Sequence, residues 1–143
     1  MVEYPISFEA EAKSSKDEKT WSIETGEGLN EEISAPEEFG GDSEKPSPED
    51  LLNASLTSCI LATFKVTADR KGLSYSEVKT SSRAELDRNE DGRPVMKKAE
   101  VTITLENVSD NELAQEVVEI SERNCFIHNS VKTDVETELE FTE

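Results

Sequence analysis

Apolar and polar residues alternate from the start of the chain. Val2, Tyr4, Ile6, Phe8, Ala10 and Ala12 fall at period two, the repeat of a half-buried strand. Pro5 lacks a ladder donor and places that strand at a sheet edge. A polar turn over 14–18 leads to a second strand around Trp21 and Ile23 and a short third strand over 29–34. Residues 35–47 read as a loop rich in proline, glycine and acid.

The pattern then changes period. Ser47 is predicted to cap a helix, with Pro48 at its first position and Glu49 and Asp50 in its first turn, where acids complement the exposed N–H groups. Asp50 stands in for the Glu or Gln of a capping box. The helix is expected to stop near Gly72. Its stretch 51–64 is almost entirely apolar or small, which predicts burial against more than one neighbour. Cys59 sits in that stretch.

Alternation returns at Val78, Thr80, Ser82, Ala84 and Leu86, followed by a hairpin signal at 89–92 and a return strand with Ala99, Val101, Ile103 and Leu105. Ser109 and Glu112 predict a second capping box, before a helical stripe of Leu113, Val117 and Ile120. Val135, Thr137, Leu139 and Phe141 alternate in a last strand. Hairpins outnumber crossovers, so the fold class is α+β. The 143 residues are expected to form one domain, 1–143.

Charge narrows the partners. There are 33 acidic and 15 basic residues, a net charge of −18. That field repels nucleic acid and anionic membranes, so neither is an expected partner. The bland reading, a heavily solvated surface, is preferred over a role in repelling an anionic substrate; screening in a high-salt cytoplasm would relieve its self-repulsion. No continuous apolar run approaches the roughly 18 residues that span a bilayer. The acidic N-terminal segment lacks the basic and apolar regions of a signal peptide. A cytoplasmic location is expected.

The candidate chemistry rests on two cysteines, 66 residues apart, Cys59 and Cys125. Free cysteines are most often small buried hydrophobes, and a reactive one needs its thiolate stabilised. Ser55, Thr57 and Ser58 are candidate donors to Cys59. Asn124 reads as the cap of a short helix running to about Val131, which would put Cys125 in a first turn and lower its pKa. His128, three residues on, makes a Cys-x-x-His spacing, yet two cysteines and one histidine fall short of a closed zinc site. A metal held by Cys125 and His128 with Cys59 and a carboxylate is kept as a minor alternative. Phosphate loops, dinucleotide fingerprints and serine-nucleophile elbows are absent from the sequence.

Residues 46–59, PSPEDLLNASLTSC, together with 125–131, CFIHNSV, resemble the OsmC/Ohr family, the osmotically inducible protein C and organic hydroperoxide resistance proteins. That pattern has Pro-Glu before a long helix, a first cysteine ten residues after the Glu, and a second near the start of a later short helix. Pro48-Glu49, Cys59 and Cys125 match it, and the element order matches along the chain. The resemblance implies a thiol-dependent peroxidase acting on organic hydroperoxides, with Cys59 as nucleophile, Cys125 as resolving thiol and Glu49 in the site. It further implies no bound cofactor, a dithiol reductant and an intertwined homodimer with the long helices at its centre. The family's N-terminal arginine has no counterpart, because no arginine precedes Arg70. Lys13, Lys16 and Lys19 are nearby but lack the planar fork. Phe126-Ile127-His128 also departs from the usual second motif. The alternative is a non-catalytic dimer of the same fold that binds a small apolar ligand or senses redox state.

Overall fold

A computed structural model describes all 143 residues. The chain divides into two compact units, Met1–Leu51 and Leu52–Glu143.

The first unit is an antiparallel sheet in the order β1 (Ala10–Lys13), β2 (Thr20–Thr25), β3 (Asn30–Ser34). The second and third strands form where the sequence places them. The first is shorter than expected: Val2, Tyr4, Ile6 and Phe8 are exposed and outside any strand. The cause is the partner. Ala10 pairs with Thr25, the last residue of β2, and after one more bond, Gly26 N–H to the Glu9 carbonyl at 3.0 Å, no neighbouring strand remains. Alternation specifies which face a strand would bury; it supplies no ladder. A short 3-10 turn, Glu37–Phe39, follows β3. Gly41 is obligatory beside it, because a Cβ there would lie 1.7 Å from the Ala35 carbonyl oxygen.

The long helix α1 spans Pro48–Lys71 without interruption. Its start is the expected capping box: the Asp50 N–H donates to Ser47 Oγ at 3.2 Å, and the Ser47 N–H donates to Asp50 Oδ2 at 2.8 Å. Its end is a Schellman turn. Gly72 has φ 73°, its N–H bonds to the Asp69 carbonyl, and the Leu73 N–H reaches back to Ala68.

In the second unit β4 (Glu77–Arg88), β5 (Pro94–Glu106) and β6 (Asp134–Thr142) lie in that order. β4 and β5 are an antiparallel hairpin closed at Asn89–Gly92, where Gly92 takes φ 78°. β6 joins β5 in parallel, so α2 (Asn111–Asn124) is the crossover between them. The fold is α+β. One sheet face carries Val101, Ile103 and Leu105 into a core with Ile60, Phe64 and Ala68 of α1 and Ala114, Val117 and Val118 of α2. The other face is polar, with Glu100, Glu136, Glu138 and Glu140 exposed.

Three expectations need correction. The cap of α2 is Asp110, whose Oδ1 accepts the Leu113 N–H at 3.0 Å. Ser109, one residue earlier, ties α2 to the segment after α1 through Ser74. The helical stripe is also wider than Leu113, Val117 and Ile120, because Ala114, Val118 and Ser121 are the residues buried with Val117. Finally, α1 is covered on one side only. Leu56, Ile60, Phe64, Thr67 and Ala68 are buried, whereas Ala54, Ser58, Ala62 and Val66 are exposed at a spacing of four. An 18-residue window of α1 has a mean hydropathy of 1.3 with 28% of it buried. By length and composition that is enough to cross a bilayer, contrary to the reading of continuous apolar runs. Small and hydroxyl residues interrupt the runs without lowering the average far.

Candidate active site

Cys59 lies mid-way along α1 and Cys125 lies immediately after α2, as its C-cap residue. The shared core brings them together. Cys125 is fully buried in the cluster formed by both helices and β5, and Cys59, half-buried, packs against the same cluster. Both are free thiols, and Cys59 lies close enough to Cys125 to perturb its ionisation.

Burial, and after it the neighbouring Cys59, push the Cys125 thiol up to about 11. Main-chain N–H groups of His128 and Ile127 act in the opposite direction and are outweighed. Cys125 is thereby held protonated beside Cys59. The sequence reading of Cys125 as an acidified first-turn thiol is therefore corrected. Asn124 is the last residue of α2 rather than a cap, and the segment after Cys125 forms only a 3-10 turn at His128–Ser130. A remnant of the expected geometry survives, because the His128 N–H donates to Cys125 Sγ at 3.4 Å. One such donor cannot offset desolvation at a fully buried sulfur.

The candidate donors to Cys59 are otherwise engaged. Ser55 Oγ donates to the Leu52 carbonyl at 2.7 Å, and Thr57 Oγ1 donates to the Asn53 carbonyl at 2.8 Å. Ser58 is exposed.

Glu49 stands in the first turn of α1. Its Oε2 is buried without a hydrogen-bond partner, a situation that costs more than 1 kcal/mol if the group is charged. The unbroken helix keeps Glu49 and Cys59 about 15 Å apart along its axis, so α1 does not bring these two residues of one chain together. His128 is the only histidine; it is half-buried, and its Nδ1 is likewise unpartnered. His, Cys, Asp and Glu side chains form no cluster of three or more suited to a metal.

A polar network that sequence reasoning missed fixes α1 on β4 close to Cys59. Ser82 Oγ donates to Asn53 Oδ1 at 2.5 Å and lies 2.6 Å from Thr57 Oγ1. Thr80 Oγ1 donates to the Thr57 carbonyl at 3.1 Å. The signal was present: Thr80 and Ser82 occupy inward positions of β4, where Val78 and Ala84 are apolar.

The two-thiol site occurs in a recognisable family context. The sequence model of OsmC-like proteins matches residues 40–140, a span that crosses the boundary between the two units. An uncharacterised protein of Haloferax volcanii is 26% identical over 110 residues, 76% of each chain. Among solved structures, an OsmC-like protein of unknown function from Vibrio cholerae superposes with a TM-score of 0.85 at 19% identity, covering 94% of this chain and 99% of that one. An organic hydroperoxide resistance protein from Elizabethkingia anophelis gives 0.80 at 17% identity, covering 99% of each. By the extent of the sequence match, and in agreement with the fold, this chain belongs to the OsmC-like protein family.

Proposed function

We propose that this chain is a thiol-dependent peroxidase that reduces organic hydroperoxides, acting in the cytoplasm as a homodimer of a single OsmC-like domain. The observation that carries the reading is that one core brings two free thiols together, with Cys125 fully buried and Cys59 half-buried against the same cluster. The half-buried sulfur can meet a peroxide, and its buried neighbour is placed to close a disulfide once it gives up its proton. The Cys59 thiolate attacks one peroxide oxygen, the O–O bond breaks, Cys59 becomes a sulfenic acid, and the alkoxide takes up a proton to leave as an alcohol. Cys125 then attacks the Cys59 sulfur. A disulfide forms, and the Cys125 proton leaves with the sulfenic hydroxyl as water. A dithiol reductant returns both thiols by exchange.

The dimer is supported by the uncovered side of α1, where Ala54, Ser58, Ala62 and Val66 are exposed. Two such helices packed antiparallel about a two-fold axis would cover this side and bring each Glu49 toward the middle of the other helix. Glu49 would then serve its partner's Cys59.

The orphaned Glu49 Oε2, with no arginine before Arg70, favours a second reading. This is a non-catalytic dimer that binds a small apolar ligand or senses redox state. Steady-state turnover separates the two. The peroxidase reading expects repeated conversion of organic hydroperoxide to alcohol with a dithiol reductant, and single-equivalent oxidation without turnover would support the sensor.

A further inference from the structure

The surface grooves differ in charge. Three of them are each lined by three glutamates: Glu18, Glu31 and Glu32 in one, Glu9, Glu11 and Glu24 in the next, Glu100, Glu136 and Glu138 in another. A fourth, of about 460 Å³, has no carboxylate in its lining despite the 33 acids of the chain. Its apolar walls are Leu52, Val95, Met96 and Val131, and its two cations are Lys97 and Lys132.

The chain places Lys97 there by a local irregularity. Glu85 pairs with Lys98 and Leu86 with Met96, so Lys97 is the extra residue of a β-bulge, a device that re-aims a side chain. Lys97 Nζ spends one donor on the Arg88 carbonyl at 3.2 Å, and an ammonium has three. The groove also belongs to the elements that carry the cysteines. Leu52 precedes Cys59 by seven residues of α1, which puts both on nearly one face about 10 Å apart along the axis. Val131 follows Cys125 by six residues.

We propose that this groove binds the apolar tail and carboxylate of an anionic hydroperoxide, with Lys97 and Lys132 as its specificity-determining residues. The inference rests on the peroxidase reading. In a chain of net charge −18, an anionic ligand is repelled nearly everywhere else, so the absence of carboxylates matters as much as the two ammonium groups. The apolar walls supply binding energy, and the lysines supply discrimination against the uncharged ester.

Two measurements test it. In the first, an aliphatic hydroperoxide with a terminal carboxylate is compared with its methyl ester, in the wild type and in a Lys97→Ala, Lys132→Ala double variant. The wild type should show a KM roughly fivefold lower for the acid, the size expected of partly exposed ion pairs. The double variant should lose that preference, its acid-to-ester KM ratio rising to about one. Equal KM values for acid and ester in the wild type, or a preference that survives in the variant, would overturn the proposal. In the second, hydrogen exchange is followed with decanoate and with decanol, neither of which reacts. Protection of 95–97 and 131–133 by decanoate alone, lost in the variant, supports the groove even if neither hydroperoxide is turned over, in which case only the peroxidase reading fails. No protection by decanoate overturns it. Protection of ligand-free protein that grows with protein concentration also overturns it, since a second copy then fills the groove.

Discussion

Cys125, with no solvent exposure, lies beside Cys59 across 66 residues of sequence and is held protonated there. The two sulfurs are therefore unequal: Cys59 is half-buried, and Cys125 is sealed from solvent with its pKa raised. Several measurable consequences follow from that inequality and from the packing that holds it.

Replacing the thiols one at a time should separate their roles. Cys59→Ser should abolish hydroperoxide turnover. Cys125→Ser should still allow the first oxidation, and mass spectrometry should then find a sulfenic acid on Cys59. A sulfenic acid on Cys125 in the Cys59→Ser protein would reverse the assignment.

The raised Cys125 pKa has a sign that can be checked. A thiol held protonated to about 11, against an ordinary 9.0, binds its proton more tightly folded than unfolded. Its contribution to stability is complete below pH 9 and is lost as pH climbs toward 11. The loss is on the order of 2 kcal/mol. Denaturation curves of the wild type should therefore fall more steeply across that interval than those of Cys125→Ala. Equal slopes would count against the environment described.

The network beneath Cys59 is expected to matter for stability. Ser82→Ala leaves Asn53 Oδ1 and Thr57 Oγ1 without their partner. Loss of a part-buried bond of this kind costs about 1–3 kcal/mol, read as a lower denaturation midpoint. Ser47→Ala, which removes the cap of α1, should cost about 1 kcal/mol.

What could be read from the sequence was what neighbouring residues decide among themselves. Ser47 with Asp50, Gly72 at the end of α1 and the Asn89–Gly92 turn all satisfy their own backbone groups, so their chemistry sits within a few residues. The pairing of Cys59 with Cys125 was legible only through family resemblance, because a shared core joins them and no spacing rule does. The errors arise where a distant partner decides. Residues before Ala10 alternate without a strand to pair with. Asn124 looked like the cap of a following helix but ends α2, and Ser109 looked like the cap of α2 but bonds to the distant Ser74, which leaves the cap to Asp110. The desolvation that raises Cys125 depends on Val101, Ile103 and α1 closing over it, which nothing in 124–131 announces.

Salt should stabilise the protein. Glu100 faces Glu136 across the parallel β5–β6 pair, on a face that also exposes Glu138 and Glu140. Lys98 bridges Glu100 at 2.8 Å and relieves only part of that repulsion. Added chloride salts should raise the thermal midpoint steadily from about 0.1 to 1 M, as the screening length shortens from roughly 10 to 3 Å. A midpoint that does not change would mean that the acidic surface carries no net strain.

The shared-site arrangement can be tested by mixing inactive chains. Cys59→Ser and Glu49→Ala homodimers should each lack turnover, and subunit exchange should restore it, because a mixed dimer contains one intact site. No recovery after verified exchange would place Glu49 outside the partner's site.

The central claim is that Cys59 and Cys125 act as one two-thiol centre on an organic hydroperoxide. Thiol titration with peptide mapping, after one equivalent of hydroperoxide per chain, tests it most directly. The account predicts rapid loss of two thiols per chain, an intrachain Cys59–Cys125 disulfide and one equivalent of alcohol. Unchanged thiols, or a disulfide formed only between chains, would contradict it.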